Sequence, residues 1–354
     1  MSDTKNSKPN KIVSFTKMLL ITLVLMLLMG EFVTRVVLGV KPYGKEIPKP
    51  PYNTAQKDQT LGWKMTPNYS YTGEMEDVRG NSYPVQLNYD ENGFKSYGDV
   101  NSSKPKVLFI GDSYTASIEV SNDKSFFNII KDSLDIEVFA YGQAGFGTLQ
   151  ELLVLEQYLP IIKPDLVLWQ TCANDFIDNS HELEMLSGYK VGERRPYITP
   201  NGEIEYIQPV EKLSSWGEYS SFFKFIDDKW SNFSYNTLQK DREIAEHYIS
   251  TEKEKYAPYS RAIQLTQLIM KRAKATLPSD LRVVGYSADT YDPQMSDFKS
   301  IFEDEGFEYS IQSAEMIKNA QWSNQVVNSS DKYHWNEKGH RLVAEGLIKD
   351  VFEK

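Results

Sequence analysis

From Lys106 onward, short apolar runs alternate with segments whose apolar residues recur at helical spacing, and this alternation restricts the fold more than any other feature. "KVLFI" (Lys106 to Ile110), "IEVFA" (Ile136 to Ala140), "PDLVLWQT" (Pro164 to Thr171), "LRVVGYSA" (Leu281 to Ala288) and a short "FEYSI" each read as a strand. Between them, "KSFFNIIKDSL" (Lys124 to Leu134), Leu149 to Leu159, "SRAIQLTQLIMKRAKATL" (Ser260 to Leu277) and Met295 to Glu305 carry helical periodicity. Pro278 stops the third of these helices. A last helix is expected over Asn336 to Phe352, with Val343, Leu347 and Val351 on one side. Strands that are apolar throughout are covered on both faces, so the pattern predicts an α/β fold with a parallel sheet between helices. Ligands in such sheets bind beyond the carboxyl ends of the strands. Ser113, Gly142 and Asn174 each follow one of the first three strands and therefore fall at one edge.

The N-terminus has a different character. Lys5, Lys8, Lys11 and Lys17 precede "MLLITLVLMLLMG", an apolar run from Met18 to Gly30 that continues after Glu31 as "FVTRVVLGV". Crossing a bilayer takes roughly 20 apolar residues, which requires Glu31 and Arg35 to be accommodated near one end. They stand four apart on one helical face and can pair. No alanine precedes Ala55 and no cysteine is available there for a lipid anchor, so an uncleaved signal anchor is expected rather than a cleaved signal peptide. The expected organisation is a cytoplasmic tail over 1–17 and a transmembrane anchor over 18–40. A proline-rich linker and N-terminal extension follow over 41–104. The remaining domain, 105–354, lies outside the cytoplasm and carries a polar, aromatic insertion at about 180–256. Within that insertion "YITPNGEIEY" reads as a hairpin around Asn201-Gly202.

The formal net charge of -10 argues against a nucleic-acid partner. With one cysteine, Cys172, and four histidines lacking zinc-type spacing, neither a disulfide nor a metal site is expected. No organic cofactor is indicated either.

"VLFIGDSYT" places Ser113 where a buried strand ends. A serine hydroxyl needs an adjacent base to act as a nucleophile; otherwise this is a polar turn in which Asp112 bonds backbone amides. "SSDKYHWNEKGH" offers Asp331 and His334, three residues apart, so the acid can hold one ring nitrogen and leave the other free. The alternative is a surface pair capping the last helix. Gly142 in "AYGQAGFGT" is either a backbone donor near a ligand or a turn glycine. Asn174 in "TCANDFIDN" is either a side-chain donor or a helix cap. His340 falls within the last helix and reads as structural, and His181 and His247 lie in polar stretches and read as solvated.

Taken together and in this order, "GDSYT", "YGQAG", "CAND" and "DKYHWN" resemble the four blocks of the SGNH (GDSL-like) hydrolase family, which carry Ser, Gly, Asn and His. The resemblance covers about Lys104 to Val351. It implies a flavodoxin-like three-layer α/β/α sandwich and the hydrolysis or transfer of acyl esters. It further implies that Ser113 attacks, His334 is the base and Asp331 orients it, with the Ser113 and Gly142 amides and the Asn174 side chain forming the oxyanion hole. Two positions depart from the family pattern: Ala140 stands where an Asn is frequent, and Cys172 where the third block usually begins with Gly. The α/β-hydrolase fold shares the order Ser, Asp, His, but G-x-S-x-G is missing around Ser113 and that fold's Asp and His lie on separate loops.

"LGW", "DENGFKS" and "GFGTLQE" look like membrane-anchored bacterial members of the family, some of which acetylate or deacetylate envelope polysaccharides. The expected function is a serine esterase or deacylase acting on acyl, above all acetyl, esters of an envelope glycan or a related small molecule. An O-acyltransferase using the same residues and a non-catalytic envelope binding protein are the alternatives. Trp335, beside His334, either stacks on a sugar ring or belongs to the core. The insertion is the expected source of specificity.

Overall fold

The structure, a computed structural model, describes residues 11–42, 51, 55–187, 193–208, 215–226, 229 and 244–353. Much of the expected tail and the middle of the expected insertion lie outside the described residues. Internal contacts divide the chain into two units, Met1–Ile47 with Val210–Arg242, and Pro48–Pro209 with Glu243–Lys354. This division cuts across the linear one expected from sequence. Part of the insertion groups with the N-terminal helix, and the extension groups with the α/β domain.

In the smaller unit, helix α1 (Lys11–Phe32) runs on through a π turn at Val33–Val37. Its stretch Phe15–Val37 is 23 residues and apolar enough to cross a membrane. At roughly 1.5 Å per residue that is about 34 Å, against about 30 Å of hydrocarbon. Glu31 and Arg35 do pair, at 2.7 Å.

The larger unit opens with two antiparallel hairpins. The first joins β1 (Ala55–Asp58) to β2 (Gly62–Met65), the second β3 (Ser70–Glu76) to β4 (Ser82–Asn88). A turn fastened by Asp90, whose Oδ1 accepts from the amides of Asn92 and Phe94, leads to β5 (Ser96–Tyr97). Then follow β6 (Lys106–Gly111), α2 (Ser113–Ala116), α3 (Phe126–Ser133), β7 (Glu137–Gly142), α4 (Thr148–Ile162), β8 (Leu166–Thr171), α5 (Asp175–Asp178) and α6 (His181–Leu186). The insertion contributes the hairpin of β9 (Arg195–Ile198) and β10 (Ile204–Ile207), turning at Asn201-Gly202, and the short helix α7 over 221–226 of the smaller unit. Beyond it the larger unit resumes with α8 (Ala245–Glu252), α9 (Ala257–Thr276), β11 (Arg282–Ser287), α10 (Gln294–Asp304), β12 (Glu308–Ser310), α11 (Gln312–Trp322) and α12 (Glu337–Leu347).

The main sheet has six strands in the order β12-β11-β8-β6-β7-β5. Its first parallel strand, β6, lies between β7 and β8, so the winding direction reverses around it. Alternate residues of the strands serve two cores. Leu108, Ile110, Phe139, Val167 and Trp169 pack on one face, against residues of α4, α9 and α10. Val107, Phe109, Val138, Leu168 and Tyr286 pack on the other, against residues of α3 and α12. This double coverage is why the strands carry no polar alternation.

The sheet is parallel, as expected, except for one strand at its edge. β5 pairs antiparallel with β7, Ser96 opposite Ala140 and Tyr97 opposite Phe139. It arrives from the extension without a crossover helix, so nothing imposes the parallel direction. The extension is also more than a linker. Met65, Met75, Val85, Leu87 and Tyr89 form a third core closed by Ala116 and Ile118, just after α2.

Phe109 is fully buried, with its ring 5.6 Å from that of Phe126 and 6.0 Å from that of Phe127. Phe109→Ala is expected to cost about 3–5 kcal/mol. Urea unfolding of the detergent-solubilised chain should show this as a lower midpoint at unchanged slope.

Candidate active site

Strand β6 ends at Gly111, and the next residues are fastened rather than loose. Asp112 caps α2, its Oδ1 accepting from the Tyr114 amide at 2.9 Å. Gln170 Oε1, on the neighbouring β8, accepts from the Asp112 amide at 3.1 Å and from the Thr115 hydroxyl at 3.0 Å. Asp112 is buried, and burial pushes its carboxyl up against the opposing pull of the Tyr114 amide. The acid of the Gly-Asp-Ser run is therefore a structural fastening, and it sets Ser113 at the first residue of α2.

The loop before α12 brings the imidazole to that serine. Asp331 Oδ1 accepts from the Ser329 hydroxyl at 2.8 Å, the Tyr333 amide at 2.9 Å and the His334 amide at 3.0 Å. Its Oδ2 faces His334 Nδ1 in a direct hydrogen bond. His334 Nε2 lies 2.7 Å from the Ser113 hydroxyl; in the neutral ring, with the proton held on Nδ1 by its carboxylate partner, Nε2 can accept from it. Neighbours hold the loop in this pose. The Tyr114 hydroxyl and Asn328 Nδ2 both donate to the Tyr333 carbonyl, at 3.3 and 2.6 Å. The tip of the β3–β4 hairpin clasps it from outside, with the Ser330 amide donating to the Glu76 carbonyl at 2.8 Å. The structure thus brings Ser113, His334 and Asp331 together.

Gly142 ends β7 opposite Gly111. A Cβ there would stand 2.2 Å from the Ala116 nitrogen and 2.4 Å from the Thr115 carbonyl carbon, so the backbone of α2 can approach only a glycine. Asn174 follows β8, and its Nδ2 donates to Asp178 Oδ2 at 2.8 Å rather than capping α5. Asp178 is in turn paired at 2.8 Å with Arg195, and both side chains are 1% exposed. Arg195 comes from β9 of the insertion, and its guanidinium lies 5.0 Å from the ring centre of Trp63 in β2. The Asn174 amide is therefore aimed by a relay through Asp178 and Arg195.

Cys172 is explained by Asp289, whose Oδ2 accepts from the Cys172 thiol at 3.1 Å and the Ala173 amide at 2.9 Å. Burial and the Asp289 carboxylate push the thiol well above its ordinary range, which disfavours the thiolate, and its contact with Asp289 pins the loop. Trp335 is buried in the core. His340 is buried too, accepting from the Phe126 amide at 3.3 Å. His247 is exposed, while His181 is half-buried with its ring against that of Tyr197.

No protein-family model matches this chain, and no curated protein does. Among solved structures it is similar to a member of the lipolytic G-D-S-L family from Veillonella parvula DSM 2008, at 14% identity over 70% of this chain and 99% of that one, with a TM-score of 0.37. It is also similar to a psychrotrophic esterase from Pseudoalteromonas sp., at 11% identity over 70% of this chain and 97% of that one (TM-score 0.38). A third similar structure is a catalytic mutant of an acetylxylan esterase from Geobacillus stearothermophilus, at 12% identity over 71% and 94% (TM-score 0.34).

Two charged residues at the site were not singled out from the sequence. Glu119 is 3% exposed, and its Oε1 lies 3.4 Å from His334 Nδ1, beside Asp331. Lys95, equally buried, donates through Nζ to the carbonyls of Ser117 and Val120 on either side of Glu119, the latter at 2.8 Å. Burial pushes Lys95 down to about 7, against the pull of Glu119 and Asp123. Burial likewise works to lower His334, but Glu119 and Asp331 outweigh it and raise the imidazole to about 9. Asp331 falls to about 2, the hydrogen bond from His334 and its charge overcoming burial. Glu119, Asp331 and His334 are spaced closely enough to hold a cation. Their atoms already face one another, and His334 Nε2 faces Ser113, which suits a proton-transfer pair. The one sequence cue for Glu119 was an acid set between the apolar Ile118 and Val120.

Only the neutral imidazole can accept a proton from Ser113, so any turnover in which Ser113 is the nucleophile is expected to rise with pH through the pKa of His334. Asp112, Asp331 and Glu119 face this group with negative charge. Glu119→Gln removes one of these charges, favours the neutral ring and should move the acid limb of kcat/KM to lower pH by at least ~1 unit. An unmoved limb would show that Glu119 does not act on the imidazole.

Proposed function

We propose that this chain is an SGNH-type serine hydrolase that cleaves acyl esters through an acyl-serine intermediate. The carrying observation is the 2.7 Å contact from Ser113 Oγ to His334 Nε2, with Asp331 on the far ring nitrogen. In this reading Ser113 Oγ attacks the ester carbonyl as His334 Nε2 takes its proton, and the carbonyl oxygen becomes an oxyanion. The amides of Ser113 and Gly142 and the side chain of Asn174 are the proposed donors to it, each contributing about 3 kcal/mol. His334 then protonates the leaving alcohol as the acyl–oxygen bond breaks. Water, deprotonated by the same nitrogen, releases the acid and restores the serine. Ser113→Ala is expected to lose ~10³-fold or more in turnover of an aryl acetate, because the three side chains act as a unit. Equal rates for variant and parent would rule out the serine mechanism.

The substrate we favour is an acetyl ester of an envelope glycan. A cleft of about 220 Å³ lies beside the site, lined by Tyr114, Tyr291, Trp322 and Tyr333 with Lys318 and Gln321. Trp322 is 72% and Tyr333 65% exposed. Aromatic faces flanked by polar side chains suit a sugar ring, whose C–H face stacks while its hydroxyls bond at the rim. We further propose that α1 is retained as an anchor, with the lysine-rich residues before it in the cytoplasm and the larger unit outside. Trp322→Ala combined with Tyr291→Ala should raise KM several-fold for an acetylated oligosaccharide and leave aryl acetate hydrolysis unchanged. Equal effects on both substrates would remove the cleft from sugar recognition.

A further inference from the structure

The span Phe15–Val37 carries two charges near its end, and both are occupied by the insertion. The Glu31 carboxylate accepts from the Ser220 hydroxyl at 2.7 Å and from the amides of Ser221 and Phe222 at 3.1 and 3.0 Å. Ser220 Oγ accepts from the Phe223 amide at 3.2 Å. The opening amides of α7, which a helix leaves without partners, are thereby satisfied. Arg35 donates to the Tyr219 carbonyl and the Ser221 hydroxyl, each at 3.3 Å. The Phe222 ring lies against the helix at Gly30, where a Cβ would come within 2.7 Å of it. Residues 219–223 are thus built onto one level of α1.

With α1 read as a membrane span, that level falls at the bilayer edge. Counting from Phe15 at roughly 1.5 Å per residue, about 30 Å of hydrocarbon ends near Thr34. The segment attached there presents Trp216, 65% exposed, and Tyr219, 66% exposed, with Ile226 also exposed and the Lys229 ammonium 5.5 Å from the ring centre of Phe225. Trp, Tyr and lysine over an apolar patch is the composition of a membrane–water interface. Satisfied opening amides are what a backbone needs where water is scarce.

We propose that residues 215–226 lie in the lipid headgroup region and form, with α1, a two-part membrane attachment locked by Glu31. The proposal rests on reading α1 as a membrane span. It commits to the lipid surface as the occupant of the Trp216–Tyr219 face.

The test uses the full chain carrying Cys172→Ser and Trp216→Cys, labelled at 216 with the fluorophore NBD and reconstituted into phosphatidylcholine–phosphatidylglycerol vesicles. The expected result is quenching by lipid nitroxides placed near the headgroup, weaker quenching by nitroxides at the bilayer centre, and protection from aqueous iodide. In the same background, Glu31→Ala should lose most of the nitroxide quenching while the chain stays in the membrane after alkaline carbonate. Release by carbonate would overturn the span and the proposal with it. Retention with an iodide-quenched label would overturn the interfacial assignment alone. Protection from both quenchers would mean a protein covers this face, which also overturns it, and unchanged quenching in Glu31→Ala would overturn the lock. None of these readouts depends on ester hydrolysis, so they are separable from the catalytic reading.

Discussion

The contact between the Ser113 hydroxyl and the His334 imidazole ties the first parallel strand of the sheet to the last loop of the chain. The surrounding structure keeps those two groups in register. On the serine side, Gln170 and the Asp112 cap fix the turn out of β6. On the histidine side, Asp331 gathers its own loop by accepting from two amides and a hydroxyl before it reaches the ring. A shift of an ångström in either turn would break the hydrogen bond, so both turns are built from side chain-to-backbone bonds and not from apolar packing alone.

The electrostatics of the site are lopsided. Asp112, Glu119, Asp175 and Asp178 are all buried around it, and burial raises each of them. Two buried basic side chains stand beside these acids among the described residues, Lys95 and Arg195. Lys95 arrives with the extension and sits against the backbone around Glu119. Arg195 arrives with the insertion and pairs with Asp178. The segments flanking and interrupting the α/β domain therefore supply the basic side chains beside these carboxylates: Lys95, which burial lowers to about 7, near Glu119, and Arg195 in an ion pair with Asp178 behind Asn174. Removing one partner of such a buried pair leaves an uncompensated charge, which makes these peripheral residues as demanding as core ones.

Elements whose information is local were legible in the sequence. The apolar strands, the amphipathic α9 and α12, the Asn201-Gly202 turn and the Glu31–Arg35 spacing all follow from short-range patterns. α11 was not foreseen, because its buried face is made of Ser313, Ala314, Ile317 and Ala320 and carries little apolar contrast. Ser113, Asp331 and His334 were legible as an ordered set, and their meeting follows from strand order. Glu119, Lys95 and Arg195 were not, since each acquires its partner only through tertiary packing between segments far apart in the chain. β5 escaped for the same reason: two residues at a sheet edge have no periodicity to read.

The hairpin tip that holds the histidine loop through Glu76 and Ser330 has a consequence for biosynthesis. One jaw of that clasp, Glu76, leaves the ribosome well before the other, Ser330. While the polypeptide is still emerging, Ser113 is an ordinary alcohol with no imidazole to accept its proton. In the proposed mechanism the serine gains its base only once the loop carrying His334 has docked at the sheet edge.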